Sequence, residues 1–134
     1  MKNDCIFCAI AAGEIPSLKI YEDDEVYSFL DINPFSAGHA LVIPKKHVSG
    51  LEDADDEILA ALMPRVRKIA AHIRKTLPCD GFNILQNNGE AAGQTVRHLH
   101  FHIIPRKTGD AQAFDGKPGD KAELERLAAR LCFV

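Results

Sequence analysis

The sequence predicts an α+β fold in which a five-stranded antiparallel sheet carries one long helix, with short helices near both termini. Short segments rich in β-branched and aromatic residues recur along the chain, and most are neighbours in sequence, as the strands of antiparallel pairs are. One longer segment instead repeats apolar residues at helical spacing. The length of 134 residues, with 46% hydrophobic and 26% charged residues, suits a single domain with a real core.

The first part of the chain predicts one short helix and three strands. Residues 6–12 favour a helix, and the segments LKIYED (18–23) and EVYSFLDI (25–32) predict two strands around an acidic turn. The segment HALVIPKKHV (39–48) predicts a third strand that ends at Pro44, because proline cannot donate to a strand ladder.

A long helix is predicted over residues 53–77. This segment opens with acidic side chains and closes with basic ones, as the helix macrodipole favours. Pro64 lacks a backbone donor inside it, so we expect the helix to kink or split there. The apolar positions at helical spacing are Ile58, Leu62, Val66, Ile69 and Ile73.

The second part of the chain predicts two more strands and a last helix. GFNILQN (81–87) predicts the fourth strand, and TVRHLHFHII (95–104) predicts a fifth that Pro105 ends. A glycine-containing loop joins the two. Residues 107–120 are polar and glycine-rich, as a connector is, and KAELERLAARL (121–131) predicts the C-terminal helix.

Three histidines alternate with apolar residues in the predicted fifth strand. Alternate side chains of a strand point to opposite faces, so His98, His100 and His102 share one face, at intervals of about 6.5 to 7 Å. With six histidines in 134 residues, random placement gives such a triple with odds of roughly 0.007. A functional site is therefore favoured over a solvated polar face. The opposite face carries Leu99, Phe101 and Ile103.

Composition limits the setting and the partners. The net charge of −3, with both signs interspersed, gives no reason to expect nucleic acid, although small anionic ligands need only local donors. No apolar run approaches the roughly 20 residues of a membrane span, and the N-terminus lacks the apolar stretch of a signal peptide. We therefore expect a cytoplasmic protein with no membrane partner, whose four cysteines are metal ligands or buried thiols.

A C-x-x-C pair near the N-terminus indicates a metal site. Cys5 and Cys8 have the spacing that lets two thiolates bind one tetrahedral metal ion, although the same spacing also suits a redox pair or two buried residues. His47 and His98 are available to complete the shell. A Cys2His2 zinc site would be coordinatively closed, hence structural.

The loop before the histidines has the composition of an anion site. In NNGEAAGQT (87–95), the glycines permit tight turns, and the exposed amides, the Asn87 side chain and the Thr95 hydroxyl could bind phosphate oxygens. Such residues also occur in hairpin loops for turn geometry alone. Their position directly before three aligned histidines favours the anion site.

The segment GQTVRHLHFHIIPR resembles the signature of the histidine triad (HIT) family of nucleotide hydrolases and transferases, His-φ-His-φ-His-φ-φ with φ apolar. The segment from Cys5 to Val48 is similar to the N-terminal half of the family's small bacterial and phosphoramidase-like members. The likeness extends to about Gly109. It implies that residues 1–134 form one HIT domain, of which residues 107–134 are the least typical part.

The resemblance implies a role for each candidate residue. His100 matches the nucleophile that attacks the α-phosphorus and forms a covalent nucleotidyl-histidine, which water then hydrolyses. His102 and His39 match residues that contact the α-phosphate, and His98 serves the metal first and the active site second. The implied zinc ligands are Cys5, Cys8, His47 and His98. The implied substrate contacts are Asp31 for the ribose, Ile32, Phe7 and Ile15 for the base, and Asn87, Gly93, Gln94 and Thr95 for the phosphate.

The expected function is hydrolysis of purine nucleoside phosphoramidates or related nucleotide conjugates at the α-phosphate. The resemblance also implies one structural zinc per chain and a homodimer whose two sheets join into one. Two alternatives stay open: asymmetric cleavage of dinucleoside tetraphosphates, and nucleotide binding with little turnover in a regulatory protein. A metal hydrolase that uses all three histidines as ligands is less favoured, because the Cys5, Cys8 and His47 set needs just one of them.

Overall fold

A computed structural model describes residues 4–133 as one five-stranded antiparallel sheet with three α-helices. The strand order is β1-β2-β3-β5-β4, and every neighbouring pair is antiparallel. The predicted fold class is therefore confirmed. The elements are α1 (Ile6–Ala11), β1 (Lys19–Glu22), β2 (Val26–Leu30), β3 (Ala40–Pro44), α2 (Asp56–Thr76), β4 (Gly81–Leu85), β5 (Phe101–Arg106) and α3 (Lys121–Leu131).

The two faces of the sheet have different roles. Helices α2 and α3 cover one face and form the larger core, which includes Phe101 and Ile103 of β5 and Leu99 just before the strand. On the opposite face Phe7 and Ile10 of α1 form a smaller apolar cluster with β2 and β3. His100 and His102 alternate with the core residues of β5, so they belong to this second face. The predicted division of the strand into an apolar and a histidine face is confirmed.

Helix α2 runs unbroken through Pro64, so the expected split is wrong. It begins after Asp55, whose side chain accepts a hydrogen bond from the N–H of Ile58. Pro64 leaves the carbonyl of Ala60 without a helical partner. Both residues are exposed, so water can satisfy that carbonyl while the opposite face of the helix packs on the sheet.

Strand β5 starts later and ends later than predicted. Residues 95–100 lie outside the strand, because the His98 N–H donates to the Val96 carbonyl in a tight bend and the Leu99 N–H donates to Val48. Pro105 does not end β5. Its carbonyl accepts from Ser36 Oγ at 2.6 Å, on the side where β3 has already ended, so its missing N–H breaks no ladder bond. The other elements lie where predicted, with slightly shorter ends.

The last residues return to the body of the domain. The connector after β5 contains no helix or strand, and α3 begins after Asp120, whose carboxylate accepts from the N–H of Glu123. Phe133 then donates its N–H to Ile20 at 2.8 Å, and its ring stacks on His72 of α2. Within residues 4–133, no helix has the length and apolar character that a bilayer span requires.

Candidate active site and metal site

A main-chain contact fixes the proton position of His100, the predicted nucleophile. Its Nδ1 lies 2.7 Å from the carbonyl oxygen of His98. A carbonyl only accepts hydrogen bonds, so Nδ1 carries the proton and Nε2 keeps the lone pair of the neutral ring. Burial lowers the pKa of His100, and the His98 carbonyl and the Asp31 charge oppose this shift in pKa. The ring of Phe7 meets His100 edge-on, with centroids 5.1 Å apart.

His39 and His102 form a hydrogen-bonded pair beside His100. The backbone N–H of Phe35 donates to Nδ1 of His39 at 3.0 Å, so neutral His39 carries its proton on Nε2. That Nε2 lies 2.9 Å from Nδ1 of His102, which must accept. Neutral His102 is therefore protonated on Nε2. Among the contacts of residues 4–133, no protein group accepts a hydrogen bond from this Nε2–H of His102.

The pair is neutral near pH 7. The pKa of His39 falls to about 3, through burial first and then through the neighbouring His102, Arg106 and His100. The pKa of His102 falls to about 4, again through burial first and through the neighbouring His100 second. At neutral pH the two rings therefore donate and accept hydrogen bonds without a net charge. The centroids of His100 and His102 are 5.0 Å apart.

Asp31 follows β2 and faces the histidine pair. Its Oδ1 accepts the N–H of Asn33 at 2.8 Å, and its Oδ2 lies 3.7 Å from Nε2 of His39. Burial raises the pKa of Asp31, opposed by the Asn33 N–H and by the charge of His100. Ile32 is 64% exposed and Ile15 is 38% exposed, so both are accessible to a ligand. Phe7, the third predicted base contact, is instead buried beneath His100.

The predicted phosphate loop is held in shape by a buried amide. Oε1 of Gln94 accepts the N–H of Gly89, and its Nε2 donates to the carbonyls of Ser49 and Val96. Both ends of this side chain are thus bonded within the protein, where they hold the shape of the loop, and a substrate contact of Gln94 stays a prediction. Gly93, at φ 97°, adopts the left-handed conformation that closes the short 3₁₀ turn before it.

The loop leaves two predicted phosphate contacts accessible. Thr95 is exposed, and Asn87 is half-buried, with its Nδ2 3.5 Å from the carbonyl of Gly93. Their roles as substrate contacts stay predictions.

Cys5, Cys8, His47 and His98 come together as predicted. Nδ1 of His98 lies 3.3 Å from Cys5 Sγ, 3.5 Å from Cys8 Sγ and 3.2 Å from His47 Nδ1. Ligand atoms around a tetrahedral zinc ion are about 3.3 to 3.8 Å apart, given zinc–ligand distances of about 2.0 to 2.3 Å. The separations in this cluster therefore fit a zinc ion.

The protonation of His98 also fits zinc. Its Nε2 lies 2.7 Å from the carbonyl oxygen of Pro44, so this nitrogen carries the proton and Nδ1 is left to bind metal. An acceptor of this kind, bound to the second ring N–H, commonly orients the histidines of metal sites. The three elements that meet here are the start of α1, the segment after β3 and the bend before β5. A bound zinc would cross-link them.

A second group of possible ligands does not fit a metal ion. Asp31, His39 and His102 also bring their ligand atoms within 4.8 Å of one another. However, the Phe35 N–H occupies Nδ1 of His39, so Nε2 could bind a metal only as an imidazolate or after that hydrogen bond is lost. Among residues 4–133 the three histidines of the motif do not form one ligand group, which argues against the metal-hydrolase alternative.

Two contributions to the site were not predicted from the sequence. The first is the amide of Phe35, and the second is the pair of main-chain carbonyls, at Pro44 and His98, that orient His98 and His100. Every residue type has a carbonyl, and every type except proline has the amide, so no residue pattern marks these positions. Only the fold reveals them.

Comparison with known proteins finds a matching family model and several similar proteins. The HIT domain model matches residues 12–109. The chain is 52% identical over 136 residues to the protein hit of Bacillus subtilis, covering 96% of this chain and 94% of that one. It is 44% identical over 123 residues to an adenosine 5'-monophosphoramidase of Saccharomyces cerevisiae, covering 92% and 75% of the two chains. An adenylylsulfatase of Arabidopsis thaliana is 50% identical over 110 residues, covering 82% of this chain, which spans 56% of that relative.

Solved structures agree with the same fold. A Hit-like protein from Bartonella henselae superposes with a TM-score of 0.89 at 43% identity, covering 97% of this chain and 95% of that chain. A Zn-bound histidine triad family protein from Mycobacterium smegmatis gives a TM-score of 0.83 at 43% identity, covering 96% and 93%.

Proposed function

The chain belongs to the HIT domain family, and from this premise we propose that it hydrolyses purine nucleoside phosphoramidates or related nucleotide conjugates at the α-phosphate. Its relatives include an adenosine 5'-monophosphoramidase and an adenylylsulfatase, both of which are hydrolases. The observation that carries the proposal is the pairing of a lone pair on Nε2 of His100 with a protonated Nε2 on the neighbouring His102. A nucleophilic nitrogen and a hydrogen-bond donor for a phosphate oxygen thereby lie side by side.

The reaction would proceed in two displacements on phosphorus. The Nε2 lone pair of His100 forms a bond to the α-phosphorus, while the bond to the leaving group breaks and its electron pair departs with that group. Water then attacks the phosphorus and loses a proton to solvent, which also supplies the proton that the leaving group takes up. The N–P bond returns its electron pair to Nε2 as nucleoside monophosphate forms. Splitting the reaction in this way replaces one difficult step with two easier ones.

Three groups would stabilise the charges that develop. Nε2–H of His102 would donate to a non-bridging phosphate oxygen, with His39 holding that proton in place. The ring of His100 becomes cationic once its Nε2 is bonded to phosphorus, and the His98 carbonyl already accepts from its Nδ1–H at 2.7 Å. Asp31 adds a nearby carboxylate, and its oxygens would also accept hydrogen bonds from the ribose hydroxyls.

Zinc has a structural role in this proposal. Cys5, Cys8, His47 and His98 would fill all four positions of a tetrahedral shell, so no position is open for substrate. When bound, the ion supplies a cross-link and no Lewis-acid chemistry. The His98 carbonyl orients the nucleophile through the main chain, so the metal cluster also supports the position of His100.

A homodimer is the proposed assembly. β4 is an edge strand of the sheet, and its outward residue Ile84 is 41% exposed. An edge with free main-chain groups and an exposed apolar residue can pair with a second copy. We expect light scattering to give twice the chain mass for the unmodified protein and the monomer mass for Ile84→Lys. A monomer in both cases would contradict this assembly.

The test of the proposed function compares two substrates and two variants. An adenosine phosphoramidate and a dinucleoside tetraphosphate are assayed side by side, and rapid quench with labelled nucleotide should trap an acid-labile adduct on His100. His100→Asn should lower kcat by about 10⁴-fold or more and leave nucleotide affinity within about tenfold. His72→Asn is the matched control, because His72 lies in α2 with its Nε2 bound to the Leu131 carbonyl.

Each outcome of this test has a clear meaning. Preferred cleavage of the tetraphosphate would favour the dinucleoside hydrolase alternative. Tight binding with negligible turnover of either substrate would favour the regulatory protein. Near-normal turnover in His100→Asn, or a label on another residue, would contradict the covalent mechanism.

A further inference from the structure

The amide of Phe35 controls the proton positions of the histidine pair. It donates to Nδ1 of His39 at 3.0 Å, and Nε2 of His39 then donates to Nδ1 of His102 at 2.9 Å. Without this donor, neutral His39 could carry its proton on either nitrogen. The main chain at Phe35 therefore selects the tautomer of His39, and through it the nitrogen on which His102 carries a proton.

The ring of Phe35 contacts both imidazoles. Its centroid lies 4.5 Å from that of His39 and 6.1 Å from that of His102, whose plane is within 8° of its own. Phe114 meets the same ring edge-on at 6.2 Å, and the guanidinium of Arg106 lies 5.2 Å from the Phe114 ring. Stacked, edge-to-face and cation–π contacts at these separations are attractive. A chain of ring contacts thus runs from Arg106 at the end of β5 to the histidine pair.

The connector that carries Phe114 is bound both to the end of β5 and to the loop that carries Phe35. Arg106 donates to the carbonyl of Ala113 at 2.7 Å, and the N–H of Gly119 donates to the carbonyl of Ile32 at 2.9 Å. Between these points, Gly116 lies so close to Asn33 that a Cβ added to the glycine would collide with the Asn33 carbonyl oxygen. The connector therefore closes over the segment that follows Asp31.

We propose that Phe35 is a positioning residue for hydrolysis and that the connector, through Phe114, holds it in place. The proposal rests on the proposed function, because the orientation of His102 matters for turnover only if a phosphate lies against it. The Phe35 amide fixes Nε2 of His102 as the donor toward substrate, and the Phe35 ring limits the movement of both imidazoles. Loss of either contribution should lower kcat and leave nucleotide binding nearly unchanged.

The first experiment separates the amide from the ring. Phe35→Ala removes the ring and keeps the N–H, whereas Phe35→Pro removes both. We expect kcat of Phe35→Pro to be about 10- to 100-fold below that of Phe35→Ala, because a misplaced catalytic group commonly costs about that much. The Kd for adenosine monophosphate should agree within about threefold between the two variants. Equal kcat values in two folded variants would overturn the role of the amide.

The second experiment tests the connector without changing the loop. Phe114→Ala should lower kcat by about three- to tenfold, and Phe114→Tyr should restore it, since an aromatic ring is what Phe35 contacts. Met63→Ala is the matched control, because Met63 is 44% exposed and Phe114 is 55% exposed. Met63 lies on α2, far along the chain from the connector. A Phe114→Ala variant with the kcat of the control would overturn the role of the connector.

A spectroscopic readout keeps this proposal separate from the proposed function. Two-bond ¹H–¹⁵N spectra of histidine-labelled protein distinguish protonated from unprotonated ring nitrogens in the resting state. The unmodified protein and Phe35→Ala should show His39 protonated on Nε2, and Phe35→Pro should show protonation on Nδ1 as well. The spectra do not depend on turnover. If the unmodified protein cleaves no phosphoramidate, the proposed function is contradicted and the assignment of the tautomer is not. Unchanged spectra in Phe35→Pro would overturn the assignment of the tautomer to the Phe35 amide.

Discussion

Replacing Cys5 with serine should remove zinc from the protein without damaging helix α1. Cys5 is both a cluster member and the N-cap of α1, where its sulfur accepts from the N–H of Cys8 at 3.4 Å. Serine is a favoured N-cap residue, so Cys5→Ser keeps an acceptor for that amide and loses the thiolate. The variant therefore isolates the loss of the metal from the loss of the cap. Cys132→Ser, at an exposed cysteine outside the cluster, is the matched control.

The expected loss of stability follows from binding linkage. A ligand that binds only the folded state at a free concentration 1,000 times its Kd adds about 4.1 kcal/mol to the free energy of unfolding. The entropy of unfolding near 60 °C is about 2.1 cal/mol/K per residue, or about 0.28 kcal/mol/K for the 134 residues of this chain. The ratio of these values predicts a fall in Tm of about 15 °C. Structural zinc sites commonly bind with free energies of about 10 to 16 kcal/mol at neutral pH, well above the roughly 4.1 kcal/mol used here.

The assay is calorimetry together with elemental analysis of dialysed protein. The unmodified protein and Cys132→Ser should each contain one zinc per chain, and a strong chelator should lower their Tm toward that of Cys5→Ser. The chelator should not change the Tm of Cys5→Ser itself. Full zinc content in Cys5→Ser, or an unchanged Tm after complete removal of the metal, would refute the reasoning that this cluster is a structural zinc site.

Three further predictions concern the ribose, the phosphate loop and acid stability. Asp31→Ala should weaken nucleotide binding by about 1.5 to 3 kcal/mol, and equal affinity of the unmodified protein for ribo- and dideoxyribonucleotides would contradict that role. Gln94→Leu should lower the free energy of unfolding in urea by about 1 to 3 kcal/mol, because the buried amide contacts of the loop are lost, and should weaken phosphate binding. Burial alone would raise the pKa of Asp23, but Arg65 and backbone N–H groups outweigh it and hold that pKa below its usual value. This contact therefore adds stability above about pH 4 and loses it below, so Arg65→Met should cost more stability at pH 7 than at pH 3, as urea unfolding at both values can check.

The parts of the fold that follow from side-chain periodicity were predictable. The alternation around His98, His100 and His102 predicts one apolar and one histidine face, and the structure has both. The helical spacing of residues 53–77 likewise predicts α2. Such patterns predict structure because the side chains that become buried recur at the period of the strand or helix that carries them.

The parts that depend on tertiary contacts were not predictable in the same way. The bend before β5 arises from main-chain bonds to Val96 and Val48, and the tolerance of Pro105 depends on where β3 ends. Pro64 stays inside α2 because its position on the helix faces water. In the sequence Gln94 is one polar residue of a loop, but in the structure its buried side chain holds that loop in shape through hydrogen bonds. The contacts with Val48 and Ser49 and the end of β3 are distant in sequence, so the local residue pattern does not reveal them.

The proton positions of the three histidines His39, His98 and His100 are all set by main-chain groups, namely the Phe35 amide and the carbonyls of Pro44 and His98. A scan that replaces each side chain with alanine leaves all three groups intact, so it would report these contacts as unimportant. Proline substitution reaches only the Phe35 amide, and amide-to-ester replacement is needed to weaken the two carbonyls as acceptors. The same property lets the side chain at position 44 change over many generations while the proton position of His98 is inherited through the path of the backbone.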